Sequence, residues 1–144
     1  MMNARPSLRI VRSEDRGDHR GSSFTVPVPS LDFLGSVRDM HMADICPGAV
    51  RGNHFHEHRR EVLCIRYADQ WSLHWDSGAD TEIQTKTFNG SGLVVVEIEP
   101  NVSHAVRNDG LSTIQVVGFS NASFDPNCPD SHPRPLVQAT NSQK

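Results

Sequence analysis

Between about residue 23 and residue 120 the chain is cut into short apolar runs. They read SFTVPV, DFLGSV, HMADI, EVLCIRY, QWSLHW, EIQTKTF, LVVVEIE, HAVRN and TIQVVGF. The breaks carry turn residues: Pro47-Gly48, Asp76-Ser77-Gly78, Asn89-Gly90-Ser91-Gly92 and Asn108-Asp109-Gly110. Asn-Gly and Asp-Gly favour tight hairpin turns because both residues tolerate positive φ. No segment sustains a 3.6-residue apolar period with proper caps over three turns. Many short strands at this spacing predict an all-β sandwich or barrel.

The length of 144 residues suits one domain with one core. Residues 1–22 are polar and predict an N-terminal arm, 23–120 the β-domain, and 121–144 an extended tail. The last six or so residues of that tail are expected to be disordered. A net charge of −3, with no basic face or tract, gives no electrostatic support for nucleic-acid binding. No apolar stretch is long enough to span a membrane, and the charged N-terminus lacks a signal-peptide centre. Cys46, Cys64 and Cys128 are an odd set without C-x-x-C spacing. They read as reduced thiols of a cytoplasmic chain, with Cys64 a small core residue.

The stretch RGNHFHEHRRE, residues 51–61, carries the chemistry. Alternate side chains share a face in a strand, so His54 and His56 aim inward together and Phe55 outward. The residues EHRR suggest a hairpin turn that returns the chain, so that Glu61 opens the next strand opposite the histidine pair. A carboxylate leading the inward row Glu61, Leu63, Ile65 needs a partner, because burying an unpaired charge is expensive. A metal bound by the imidazoles would supply one. His104, after the turn at Pro100, offers a further ligand. The bland alternative is a polar rim of solvated histidines. His58 falls in the turn, near the mouth. His19, His41 and His132 have no arguable partner. His74 points away from the apolar face of Trp71, Leu73 and Trp75, towards solvent.

These segments resemble the two cupin motifs. Gly48, His54-Phe-His56 and Glu61 follow the first, and Glu99-Pro100-Asn101-Val102-Ser103-His104 leading to Asn108 follows the second. Two features depart from it around the second motif: the proline stands one position late, and Asn101 takes a glycine position. Asparagine best replaces glycine in the left-handed region, so the turn should survive. Ala68-Asp69 stands where a glycine closes the first motif. The resemblance implies a single-domain jelly-roll barrel with His54, His56, Glu61 and His104 around one divalent ion. Zn, Fe, Ni, Mn and Co all suit this donor set. It also implies a homodimer, for which Trp71 and Trp75 are available.

RGNHFH and SFDPNCPD further resemble the C-terminal cupin domain of capsular-polysaccharide enzymes, over roughly residues 36–135. That domain acts as an epimerase on a UDP-linked 4-keto sugar. Similarity extends to nucleotide-sugar 3,4-ketoisomerases, which need no metal and use the histidine pair for proton transfer. The resemblance implies a sugar-nucleotide isomerase or epimerase of surface-polysaccharide synthesis. With the ligand lone pairs occupied, the base would be His58 or Tyr67, and Arg51 could pair with the diphosphate through its planar fork. The sequence has no G-x-G-x-x-G and no room for one, so a free-standing cupin is expected, with any partner enzyme elsewhere. The same ligands also support an Fe or Ni dioxygenase, or a non-catalytic module that binds a small ligand.

Overall fold

The computed structural model describes residues 4–140. Ten strands and one short helix follow in chain order: β1 (Leu8–Ser13), α1 (Val28–Leu34), β2 (Asp39–Ile45), β3 (Val50–Phe55), β4 (Glu61–Tyr67), β5 (Trp71–Asp76), β6 (Gln84–Phe88), β7 (Gly92–Ile98), β8 (Ser103–Asn108), β9 (Ile114–Ser120) and β10 (His132–Pro133). They form two five-stranded sheets, ordered β1-β7-β4-β9-β2 and β10-β3-β8-β5-β6. Every pairing is antiparallel.

The main core lies between the sheets. Ile65, Val94, Val96 and Ile114 from the first meet Trp71, Leu73, Phe88 and Val106 from the second. Trp71 and Phe88 stack with ring centroids 4.3 Å apart. On the outer face of the first sheet, Leu34 of α1 and partly buried Phe33 pack over Val62, Cys64 and Val95. Burial there raises the Cys64 thiol pKa to about 11, as suits a small apolar core residue.

Most predicted runs are strands, and the departures have local causes. Pro27 and Pro29 cannot donate to a ladder, and Pro is favoured in a helix's first turn. SFTVPV and DFLGSV therefore hold a loop and the two-turn α1 instead of strands. Within the expected arm, Leu8 and Ile10 alternate with Arg9 and pack against the core, so β1 pairs with β7 along the sheet edge. The turn signals mark the breaks correctly but seldom make hairpins. Only β5 and β6 are joined within one sheet among consecutive strands from β2 to β9, and the other connections cross between sheets. Trp71 is fully buried, and Trp75 is partly buried against the same core. Of the six residues expected to be disordered, 141–144 lie outside the described residues. Among the described residues no helix is long and apolar enough to cross a membrane.

Candidate metal centre

The bend after His56 is the first correction to the site. It is a crossover between sheets, because β3 pairs with β8 and β10 while β4 pairs with β7 and β9. Glu61 therefore meets the histidines across the space between the sheets.

A bulge sets the histidines. Arg51 pairs with Val106 and Gly52 with Ala105, but His54 is the residue opposite His104, so Asn53 is inserted. Paired residues share a face, and the extra residue turns both Arg51 and His54 towards the interior. The bulge requires unusual backbone, with φ of 103° at Gly52 and 54° at Asn53. A Cβ on Gly52 would lie 2.6 Å from the His104 carbonyl oxygen. Asn101, at φ 69°, keeps the left-handed turn expected of it. Its N–H donates to the His56 carbonyl at 2.6 Å, tying the second motif to the first.

His54, His56, Glu61 and His104 each offer one donor atom, all within 4.8 Å of one another. His56 and His104 have side chains only 3% exposed, and Glu61 is 15% exposed. A solvated rim is thereby ruled out. His104 Nδ1 lies 3.0 Å from the Val102 carbonyl and His56 Nδ1 lies 2.6 Å from that of Asp130. A carbonyl only accepts, so both rings carry their proton on Nδ1 and turn the Nε2 lone pair inward. The Arg59 guanidinium also lies 3.2 Å from His56 Nδ1, and it would require the opposite tautomer. The shorter carbonyl contact decides for Nδ1–H.

The Nε2 atoms lie 3.4 Å (His56) and 3.2 Å (His104) from the Glu61 carboxylate oxygens. Neither has a hydrogen-bond partner of adequate geometry. Lone pairs facing a carboxylate repel unless positive charge lies between them, as protons or as a cation. Burial opposes ionisation of Glu61, yet His104 and His56 keep its carboxyl well below the usual range. Burial, with the charges of His104 and His56, pushes the His54 pKa down to about 4. Its ring is thus a neutral donor at physiological pH. Donors about 2.1 Å from one tetrahedral ion stand about 3.4 Å apart, so donor atoms spread over as much as 4.8 Å would draw together on binding.

His54, His56 and Glu61 line a cleft of about 480 Å³. Its other lining includes Asp39 and His41 of β2 and Gly118 and Ser120 of β9, and Arg59 lines it from the bend. His41 has no partner legible in the sequence, yet it lines the same cleft as His54, His56 and Glu61. The signal was its alternation with Ala43 and Ile45 on β2, all three of which line an adjoining pocket. Arg59 Nε is buried without a partner. Arg51 is exposed, borders the adjoining pocket beside His54 and His104, and its Nε donates to the Asp44 carbonyl at 2.7 Å.

Two expected catalytic groups are elsewhere. Tyr67 is 3% exposed, packed on Trp71 and Phe88, and six positions along β4 from Glu61. At strand rise that is about 20 Å away. The inward row is apolar beyond Glu61, so its last member belongs to the core. His58 is exposed and faces a separate depression with Arg60, Glu99 and Asn121. His74 does point away from the tryptophan face, but it is buried, bridging Ser72 (2.8 Å) and Thr85 (3.1 Å).

Two facing antiparallel sheets with an H-x-H pair, a glutamate and a distant histidine converging between them define a cupin-like domain. The chain belongs to the polysaccharide biosynthesis C-terminal domain family, which matches residues 16–132. The fold is similar to that of the capsular polysaccharide assembling protein CapF from Staphylococcus aureus (24% identity, TM-score 0.62). That match covers 86% of this chain and 34% of CapF, so this chain spans about a third of CapF's length. It is also similar to a mutant of the 3,4-ketoisomerase QdtA from Thermoanaerobacterium thermosaccharolyticum in complex with TDP-4-keto-6-deoxyglucose (16% identity, TM-score 0.63, covering 86% of this chain and 85% of that one). A dTDP sugar isomerase from Desulfovibrio desulfuricans matches at 10% identity and TM-score 0.71, covering 90% of this chain and 84% of the isomerase. No curated protein matches the sequence.

Proposed function

We propose that this chain binds one divalent metal ion through His54, His56, Glu61 and His104. We further propose that it isomerises or epimerises a nucleotide-linked keto sugar in surface-polysaccharide synthesis. One observation carries the metal reading: two buried Nε2 lone pairs, fixed by carbonyls behind them, aim at a buried carboxylate. Such an ion, when bound, supplies polarisation of a carbonyl oxygen. The substrate class is supported by family membership and by the sugar isomerases that share the fold.

The chain's own residues divide the remaining work. His41 faces the ligand cluster across the cleft and is the group placed to move a proton beside the keto carbon. It takes the role expected of His58 or Tyr67, neither of which lines the cleft. Arg59 lines the cleft and Arg51 an adjoining pocket, and a diphosphate suits their guanidinium groups.

Incubation with UDP- and dTDP-linked 4-keto sugars in deuterated water tests the reading. Deuterium should enter the carbon next to the keto group, and His41→Asn should slow its entry by about 100-fold or more. No uptake on any sugar of the panel would overturn the isomerase assignment. Oxygen consumption by the iron-loaded protein would replace it with a dioxygenase.

A further inference from the structure

The segment after β9 returns to the ligand-bearing strand. The Asp130 carbonyl accepts from His56 Nδ1–H at 2.6 Å. Its carboxylate accepts the N–H groups of Glu57 (2.7 Å) and His58 (2.8 Å), fixing the bend that follows His56. Further along, the Asn53 side chain accepts from Leu136 N–H (2.9 Å) and Val137 N–H (3.3 Å) and donates to the Val137 carbonyl (3.0 Å). The Asn53 carbonyl accepts Arg134 N–H at 2.7 Å. Arg134 also pairs with Asp76, whose side chain is fully buried, at 2.7 Å. Between these anchors His132 stacks on Phe55. One segment thus grips the residue before His54, the residue between the two histidines, and the bend after His56.

Resting on the metal reading above, we propose that residues 130–137 are a positioning clamp for His54 and His56, with Asp130 selecting the metal-binding tautomer of His56. Two groups compete for His56 Nδ1. The Asp130 carbonyl requires Nδ1–H and frees Nε2 for a metal. The Arg59 guanidinium, 3.2 Å away, would donate to Nδ1 and move the proton to Nε2, which then cannot ligate. Docking of the segment decides between them. By linkage, a metal that favours the docked state must in turn stabilise docking.

The full chain, stripped of metal and titrated with Zn²⁺ or Co²⁺, provides the test. Asp130→Ala should bind about 10- to 100-fold more weakly than the native chain, as for other residues that orient a ligand from behind. Asp130→Asn, which keeps one acceptor oxygen, should fall between them. Asn53→Gly preserves the left-handed backbone, loses the side-chain anchors and should also weaken binding. In the metal-free native chain, ¹⁵N shifts should place the His56 proton on Nδ1, and Asp130→Ala should shift it towards Nε2. Metal should slow hydrogen exchange at the Arg134, Leu136 and Val137 amides of the native chain, a readout that stands even if a variant does not fold. Native affinity in both Asp130→Ala and Asn53→Gly, with exchange indifferent to metal, would overturn the clamp and leave the metal reading intact. A native chain that binds neither ion would overturn both.

Discussion

The space between the sheets has two ends built on opposite rules. At one end Trp71, Phe88 and Tyr67 fill it with stacked and tilted rings. At the other, three imidazoles and a carboxylate crowd together with their nearest Nε2 atoms unpartnered. β4 runs through both, from Glu61 at the polar end to Tyr67 at the apolar end. The apolar end is stabilised by its own packing, whereas the polar end is held in place from outside by carbonyls, a bulge and the C-terminal segment. Packing and the proposed metal site therefore occupy opposite ends of one strand, and mutations can separate their effects.

The largest stability effect is expected at the apolar end. Trp71→Ala should cost about 3–5 kcal/mol of folding free energy by denaturant titration, leaving the ligand geometry untouched. Glu61→Leu should do the reverse at pH 8. Metal binding should vanish, while metal-free stability should change by no more than about 1 kcal/mol, because leucine removes the buried carboxylate together with its desolvation cost. A large loss of metal-free stability in Glu61→Leu would break the contrast between the ends.

Between these extremes stands Gly52→Ala. Its Cβ would collide with the His104 carbonyl at a backbone φ of 103°. A loss of about 1–3 kcal/mol is expected, together with weaker metal binding. Unchanged values for both would show that the bulge does not set the ligands.

The pH dependence of the metal-free chain sharpens the polar end further. His54 titrates at about 4 when folded and at 6.5 in its ordinary state, so the unfolded chain binds more protons between those values. Stability from this residue is complete above about pH 6.5 and falls as the pH drops towards 4. Thermal unfolding at pH 7, 5.5 and 4 should show the decline, and His54→Asn should reduce it. The smallest expected effect is at Cys64. Its raised thiol under α1 should resist alkylation in the native chain, while the exposed Cys46 and Cys128 react.

The contrast also explains what was legible in the sequence. Strand identity was legible because period-2 apolar alternation and turn residues are local signals. The cluster of His54, His56, Glu61 and His104 was legible because their residue types and spacing form a motif. The sheet to which each strand belongs was not, since a turn that crosses between sheets uses the same Gly and Asn as a hairpin. Tyr67 was misassigned because a polar hydroxyl suggested chemistry, whereas its inward neighbours on β4 were apolar. His41 was missed because nothing in β2 shows that its inward face meets β3 and β4. Asp130 stands 74 residues beyond His56, and only the return of the chain as β10 reveals it.

Metal content decides whether the four clustered residues hold an ion. Native protein and His104→Ala should be purified in parallel, supplied with the same divalent ions, desalted and measured by elemental analysis. About one ion per native chain is expected, and only a small fraction of that in His104→Ala, both folded by circular dichroism. A folded native chain without metal, or a His104→Ala chain that keeps its full complement, would contradict the proposed metal site.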